Sequence, residues 1–227
     1  MSETLTHPVA ADTAERRGSR SRWPLTGVAA GVLGFLGTMI FDLHPSDTAG
    51  IDIVDQVSQT KAHLSIVCGY LAVVALLVLA AQWRRFVEPR VTGSTAARVV
   101  SGGLTAAAGA LALGYGWKGA MAVYLPGGMD ASRGFDKTGL YVMYVLNDFG
   151  SFIGWLGVTV AAGAIAYMAF RERTISRWIG AVSVLPCLAV VAFTGLTGLP
   201  GFPGVVTPLW MVIAFTGLTL GRSTISR

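Results

Sequence analysis

The chain has 227 residues, of which 53% are hydrophobic and 13% charged, and its formal net charge is +5. A soluble domain carries about a quarter charged residues, and the mean hydropathy here is +0.61. These values exclude a disordered chain, a secreted disulfide scaffold and an ordinary soluble enzyme, and leave an all-α polytopic membrane protein.

Residues 1–21 are rich in Ser, Thr and Arg and lack an apolar core. They read as a disordered cytoplasmic tail and not as a cleaved signal peptide. Six apolar segments follow, near 22–43, 62–83, 97–124, 140–170, 178–199 and 204–221. Each approaches the ~20 residues that a spanning helix needs. The expectation is a six-helix transmembrane bundle over 22–221 and a short cytoplasmic tail at 222–227. The first connecting loop is acidic and suits a short surface helix. The second, "LPGGMDASRGFDKTG", is rich in turn formers, and Pro186 predicts a kink in the fifth helix.

Thirteen Arg residues flank alternate ends of these segments, from Arg16 to Arg22, Arg84 to Arg98, Arg171 to Arg177, and Arg222 to Arg227. The opposite loops hold only Lys61, Arg133 and Lys137. The positive-inside rule then places both termini in the cytoplasm and the protein in the inner membrane. No basic run is interleaved with stacking aromatics, so nucleic acid is excluded as a partner. Cys68 and Cys187 lie inside apolar runs, and no Cys or His spacing suits a metal.

Polar residues within the spans are few, so their depth is informative. At 1.5 Å per residue, Asp42, His63, Lys118 and Asp148 each stand roughly 30–35 Å from the cytoplasmic Arg level. Four ionisable residues on four successive helices are thus expected in one plane at the outer edge of the hydrocarbon. Gly102, Ala106, Ala110, Gly114 and Lys118 follow one another at i+4, which predicts a packed stripe that turns Lys118 into the bundle. Gly27, Gly31 and Gly34 do the same for Asp42, so an Asp42–Lys118 ion pair is expected.

The fourth segment has two faces. Gly150, Gly154, Gly157 and Ala161 form a small-residue face, and Tyr141, Tyr144, Asp148, Phe152 and Trp155 form an aromatic face holding one carboxyl group. Tyr115 shares a face with Lys118, and Trp117 lies at nearby depth. His63 is a further lining candidate, although it faces away from the small residues Ala62, Ser65, Gly69 and Ala72. An aromatic-lined cavity open to the outer leaflet is the functional expectation, and an interfacial aromatic belt is its bland counterpart.

A carboxylic acid in an apolar aromatic site is kept protonated by desolvation. It can deliver a proton to an alkene or epoxide, and ring faces then stabilise the carbocation. This is protonation-initiated cyclisation of an isoprenoid, a lipophilic substrate that reaches the site from the bilayer and needs no cofactor. Asp148 and Asp42 are the catalytic candidates. An ammonium beside the acid would ionise it, so Lys118 must pair with one of them. Pairing with Asp42 leaves Asp148 as the acid, and the reverse assignment stays open.

In its size and its few polar residues within a helix bundle, the chain resembles the small integral-membrane terpene cyclases of indole-terpenoid and meroterpenoid pathways. That resemblance implies an isomerase acting on a terpenoid. The segments "GYGWKGAMAVYLPGG" (114–128) and "LYVMYVLNDFG" (140–150) also resemble a family of six-helix membrane proteins from high-GC bacteria to which no activity is attached. Two other readings stand beside the cyclase. One is a small transporter or channel subunit, opposed by the lack of an ionisable residue at the bilayer midplane. The other is an accessory protein whose outer loops bind a partner.

Overall fold

The computed structural model describes residues 22–43, 50–133, 135–221 and 225, together with all their side chains except those of Arg133 and Asp148. The tails expected at 1–21 and 222–227, apart from residue 225, lie outside the described residues. Everything described is helix, turn or loop, with no strand among the described residues.

Among the described residues the apolar runs become seven α-helices: α1 (Leu25–Phe35), α2 (Gln59–Phe86), α3 (Thr95–Tyr124), α4 (Lys137–Ile153), α5 (Leu156–Tyr167), α6 (Arg177–Thr197) and α7 (Phe202–Leu220). Their starts follow capping chemistry. Ser58, Ser94 and Asp136 each accept a hydrogen bond from a backbone N–H of the first turn of α2, α3 and α4. Gly198, with a φ of 74°, ends α6 in the left-handed region that a Cβ disfavours.

Among the described residues five stretches are long and apolar enough to cross a membrane, and the segment read as 140–170 is one of them, running from Lys137 to Glu172. It is not one uniform helix. The chain turns at Gly154 and Trp155 between α4 and α5, and α5 ends in a π-helical turn, Met168–Glu172. The first segment is shorter than its 22–43 reading. α1 continues as a π-helical turn, Leu36–Ile40, and stops there, so the whole stretch rises roughly 24 Å. The cause is visible in the hydrogen bonding: Phe41 N–H reaches back five residues to Leu36 at 2.9 Å.

α1, α2 and α3 pack in sequence, α3 packs on both α4 and α5, and α5, α6 and α7 follow in turn before α7 returns to α1, which closes a ring. The half of the bundle at the start of α1 is filled by interlocking aromatics. Trp23 meets Trp83 and Phe215 edge to face, with ring centroids 5.8 and 6.4 Å apart. Trp83 Nε1 donates to the Ala97 carbonyl at 2.9 Å, so its buried polar atom is satisfied. At the opposite end, a 3-10 helix formed by Gly50–Gln56 in the acidic first loop lies over the bundle. Val54 and Val57 of this loop pack with Leu43, Met121, Leu140 and Tyr144. Lys137 fastens the strap through exposed ion pairs to Asp52 and Asp55, both at 2.6 Å.

The packed stripe of α3 differs from the expected one. Gly102, Ala106 and Ala110 are exposed, and the buried face runs through Gly103, Ala107, Leu111, Gly114 and Lys118. An i+4 step overshoots a 3.6-residue turn by about 40°. A strict i+4 series therefore walks around the helix, and only its last members, Gly114 and Lys118, reach the core. The true seam alternates steps of three and four. Across it α3 touches α4 and α5 backbone to backbone: a Cβ on Gly114 would stand 2.5 Å from the Gly150 carbonyl and 2.7 Å from the Ser151 nitrogen.

The two glycines of α3 therefore respond oppositely to one substitution. Gly114→Ala is expected to cost about 1–3 kcal/mol, because rigid backbone must shift. Gly102→Ala meets no atom within 4 Å and should be neutral or stabilise by up to about 1 kcal/mol. Thermal denaturation of the two variants in detergent checks the pair.

Candidate functional site

The polar residues hidden inside the bundle concentrate where α1 loses its regular hydrogen bonding. Thr38, Ser65, Lys118, Asn147 and Ser151 are all fully buried, and they come from α1, α2, α3 and α4. The Gly37 carbonyl, inside the π-helical turn, accepts Ser65 Oγ at 2.5 Å and Lys118 Nζ at 2.9 Å. The close approach that permits this needs a glycine. A Cβ on Gly37 would lie 3.0 Å from the Gly69 nitrogen of α2. Gly69 in turn leaves space for the Tyr115 ring, which a side chain there would overlap.

A second chain of hydrogen bonds runs beside the first. Thr38 Oγ1 and Tyr115 Oη share a bond of 2.7 Å, and Trp155 Nε1 donates to Thr38 Oγ1 at 3.1 Å. Trp155 also fills the notch above Gly34. The irregular end of α1 and the break between α4 and α5 are therefore joined by one hydroxyl. Buried and satisfied polar groups of this kind fix a unique packing, because leaving any one of them unmet is expensive.

The structure brings some of the residues expected at the site together and turns others away. Lys118, Tyr115 and Trp155 do turn inward and meet at Gly37 and Thr38. Tyr144 is buried, but against the strap residues, and it stacks on Tyr141 at 6.5 Å. His63 is exposed on α2, whereas Lys118 is fully buried. Asp42 is half-buried beyond the end of α1, where its Oδ1 accepts the Leu43 N–H at 2.9 Å. Lys118 Nζ donates to the Gly37 carbonyl, and both it and Asp42 have further interactions. Asp148 is placed on α4 by its backbone, and its side chain lies outside the described residues.

The aromatic lining is likewise split. Trp117 covers Gly150 from α3. Phe152 points to the start of α7, where it packs on Gly204. There it forms a groove of about 450 Å³ with Phe149, Phe193, Leu199, Pro200 and Phe202. Phe193 and Phe202 stack face to face, 4.2 Å apart. On a wheel of about 100° per residue, position 148 falls within about 40° of Phe152. It lies between the groove face of α4 and the polar face that carries Tyr144 and Ser151.

Sequence reasoning missed Thr38, Ser65, Asn147, Phe149 and Phe193. Buried hydroxyls and amides in apolar helices were the available signal, since such groups need partners. Among the described residues no three His, Cys, Asp or Glu side chains converge as a metal site would require. Comparison with protein-family models, with curated proteins and with solved structures finds no match.

Thr38→Val keeps the shape of the side chain and removes the hydroxyl that Tyr115 and Trp155 share. It is expected to cost about 1–3 kcal/mol. Adding Tyr115→Phe should cost less than the sum of the two changes, because both delete one bond. Chemical denaturation of the single and double variants measures the coupling, and strict additivity would disprove it.

Proposed function

We propose that the protein is a six-span enzyme of the inner membrane, with both termini in the cytoplasm, that protonates and cyclises an isoprenoid chain. The arginine asymmetry supports the orientation. The short first helix is read as the sixth span, completed by the residues after Ile40 or by local thinning of the bilayer. The observation that carries the chemistry is the aromatic groove between α4, α6 and α7, one turn from the acid position 148 on α4.

In this reading an apolar substrate enters the groove laterally from the outer leaflet. Asp148 in its protonated form transfers H⁺ to a terminal alkene or an epoxide oxygen. The next double bond attacks the resulting carbocation, and its electron pair becomes the new carbon–carbon bond. Loss of a proton from the final cation to the Asp148 carboxylate restores the acid, so the net change is an isomerisation. Phe149, Phe152, Phe193 and Phe202 offer ring faces to the migrating charge. Lys118 holds the second carboxylate in its ionised form, with Asp42 and Asp148 exchangeable in the two roles.

A small transporter is the second reading, favoured by the fully buried Lys118 at the irregular turn of α1. Proteoliposome flux that is lost in Lys118→Gln would support it over the enzyme.

The enzyme is tested with the purified protein and linear polyprenyl alkenes and epoxides, with isomeric products read by mass spectrometry. Asp148→Asn should lower turnover by about 10²–10⁴-fold while the protein still folds. The same loss in Asp42→Asn alone would exchange the two carboxylates. Full activity in both variants would contradict the mechanism.

A further inference from the structure

Asn147 is fully buried, yet neither its Nδ2 nor its Oδ1 has a hydrogen-bond partner in the structure. Its side-chain amide brings two donors and an acceptor into an apolar helix interface. Buried amides are nearly always satisfied by protein or by a bound molecule, and the exceptions call for a specific cause.

The surroundings are those of a small polar site. Gly114 and Gly150 bring α3 and α4 into backbone contact just inside Asn147, on the same face as Ser151. The helices run antiparallel, so the next turn of α3 brings Lys118 to the level of Asn147. Outside it, Tyr144 and Met121 belong to the cluster under the strap and close the seam toward the surface. Asn147 lies on the side of α4 opposite the Phe149 and Phe152 groove, so this site is independent of the cyclase reading.

We propose that the α3–α4 seam at Asn147 binds a neutral O–H ligand, either a water or the hydroxyl end of a lipid-soluble alcohol. Only a group that both donates and accepts can satisfy the two ends of the amide. An anion would leave Oδ1 unmet and a cation would leave Nδ2 unmet. Water meets this need in many protein interiors. In a bilayer an alcohol with an apolar chain brings the same group.

The test uses the full chain in detergent micelles. Bound water is read by X-ray hydroxyl-radical footprinting, which marks side chains beside internal water even when they are buried. Tyr144 or Met121 should be modified in the wild type, Phe215 should not, and the modification should disappear in Asn147→Leu. The alcohol is read with farnesol as the probe: it should raise the Tm of the wild type and leave that of Asn147→Leu unchanged. Either pattern supports the site and names its occupant. Modification that persists in the variant would overturn Asn147 as the holder. Neither pattern in the folded wild type would show a dry seam and overturn the proposal, and a higher Tm in Asn147→Leu would accompany it. If the leucine variant does not fold, Asn147→Ala carries the same comparisons.

Discussion

Inside the bundle, the Gly37 carbonyl receives a hydroxyl from α2 and an ammonium from α3. Bringing a lysine into an apolar interior is costly unless strong acceptors are already in place. A regular α-helix would commit the Gly37 carbonyl to the amide four residues on. The π-helical turn shifts that ladder by one residue and presents the carbonyl sideways. Much of this half of the bundle follows from this arrangement. Gly37 must lack a side chain so that α1 can touch α2 at Gly69, and Gly69 must lack one so that Tyr115 can reach Thr38. Thr38 then fixes Trp155, and Trp155 fixes the point where α4 gives way to α5.

The helical architecture was legible because it rests on length and hydropathy, which are additive along the chain. Segment positions agreed to within a few residues. The small-residue faces of α1 and α2 were also readable: Gly27, Gly31 and Gly34 are buried, as are Ala62, Ser65, Gly69 and Ala72. Over only two or three turns a simple spacing rule does not drift far. It failed on α3, where the stripe from Gly102 to Lys118 spans enough turns for the 3.6-residue period to carry its first members out of the core. The α4–α5 break was hidden for a different reason. Neither Gly154 nor Trp155 breaks a helix alone, and what holds the break is Thr38, far away in the chain.

The candidate site was partly legible. The expectation that Lys118 turns into the bundle holds, since it is fully buried on a long and regular α3. Depth arithmetic could not say which way each side chain turns. His63 is exposed, and the aromatic residues of the fourth segment diverge to the strap, to α1 and to α7. A helix wheel drawn through Gly154 assumes one continuous helix, and the turn there redirects everything after it. The groove that does form draws Phe193 and Phe202 from other helices, which no single-helix pattern contains.

The central claim is that Lys118 sits inside the bundle on the Gly37 carbonyl, and the amine itself reports on this. The three lysines are Lys61, Lys118 and Lys137. Reductive methylation of the folded protein in detergent, followed by peptide mass mapping, reads each one separately. The account predicts rapid modification of Lys61 and Lys137 and protection of Lys118 until the protein is denatured. Modification of Lys118 at the rate of the other two, in protein that still melts cooperatively, would contradict it.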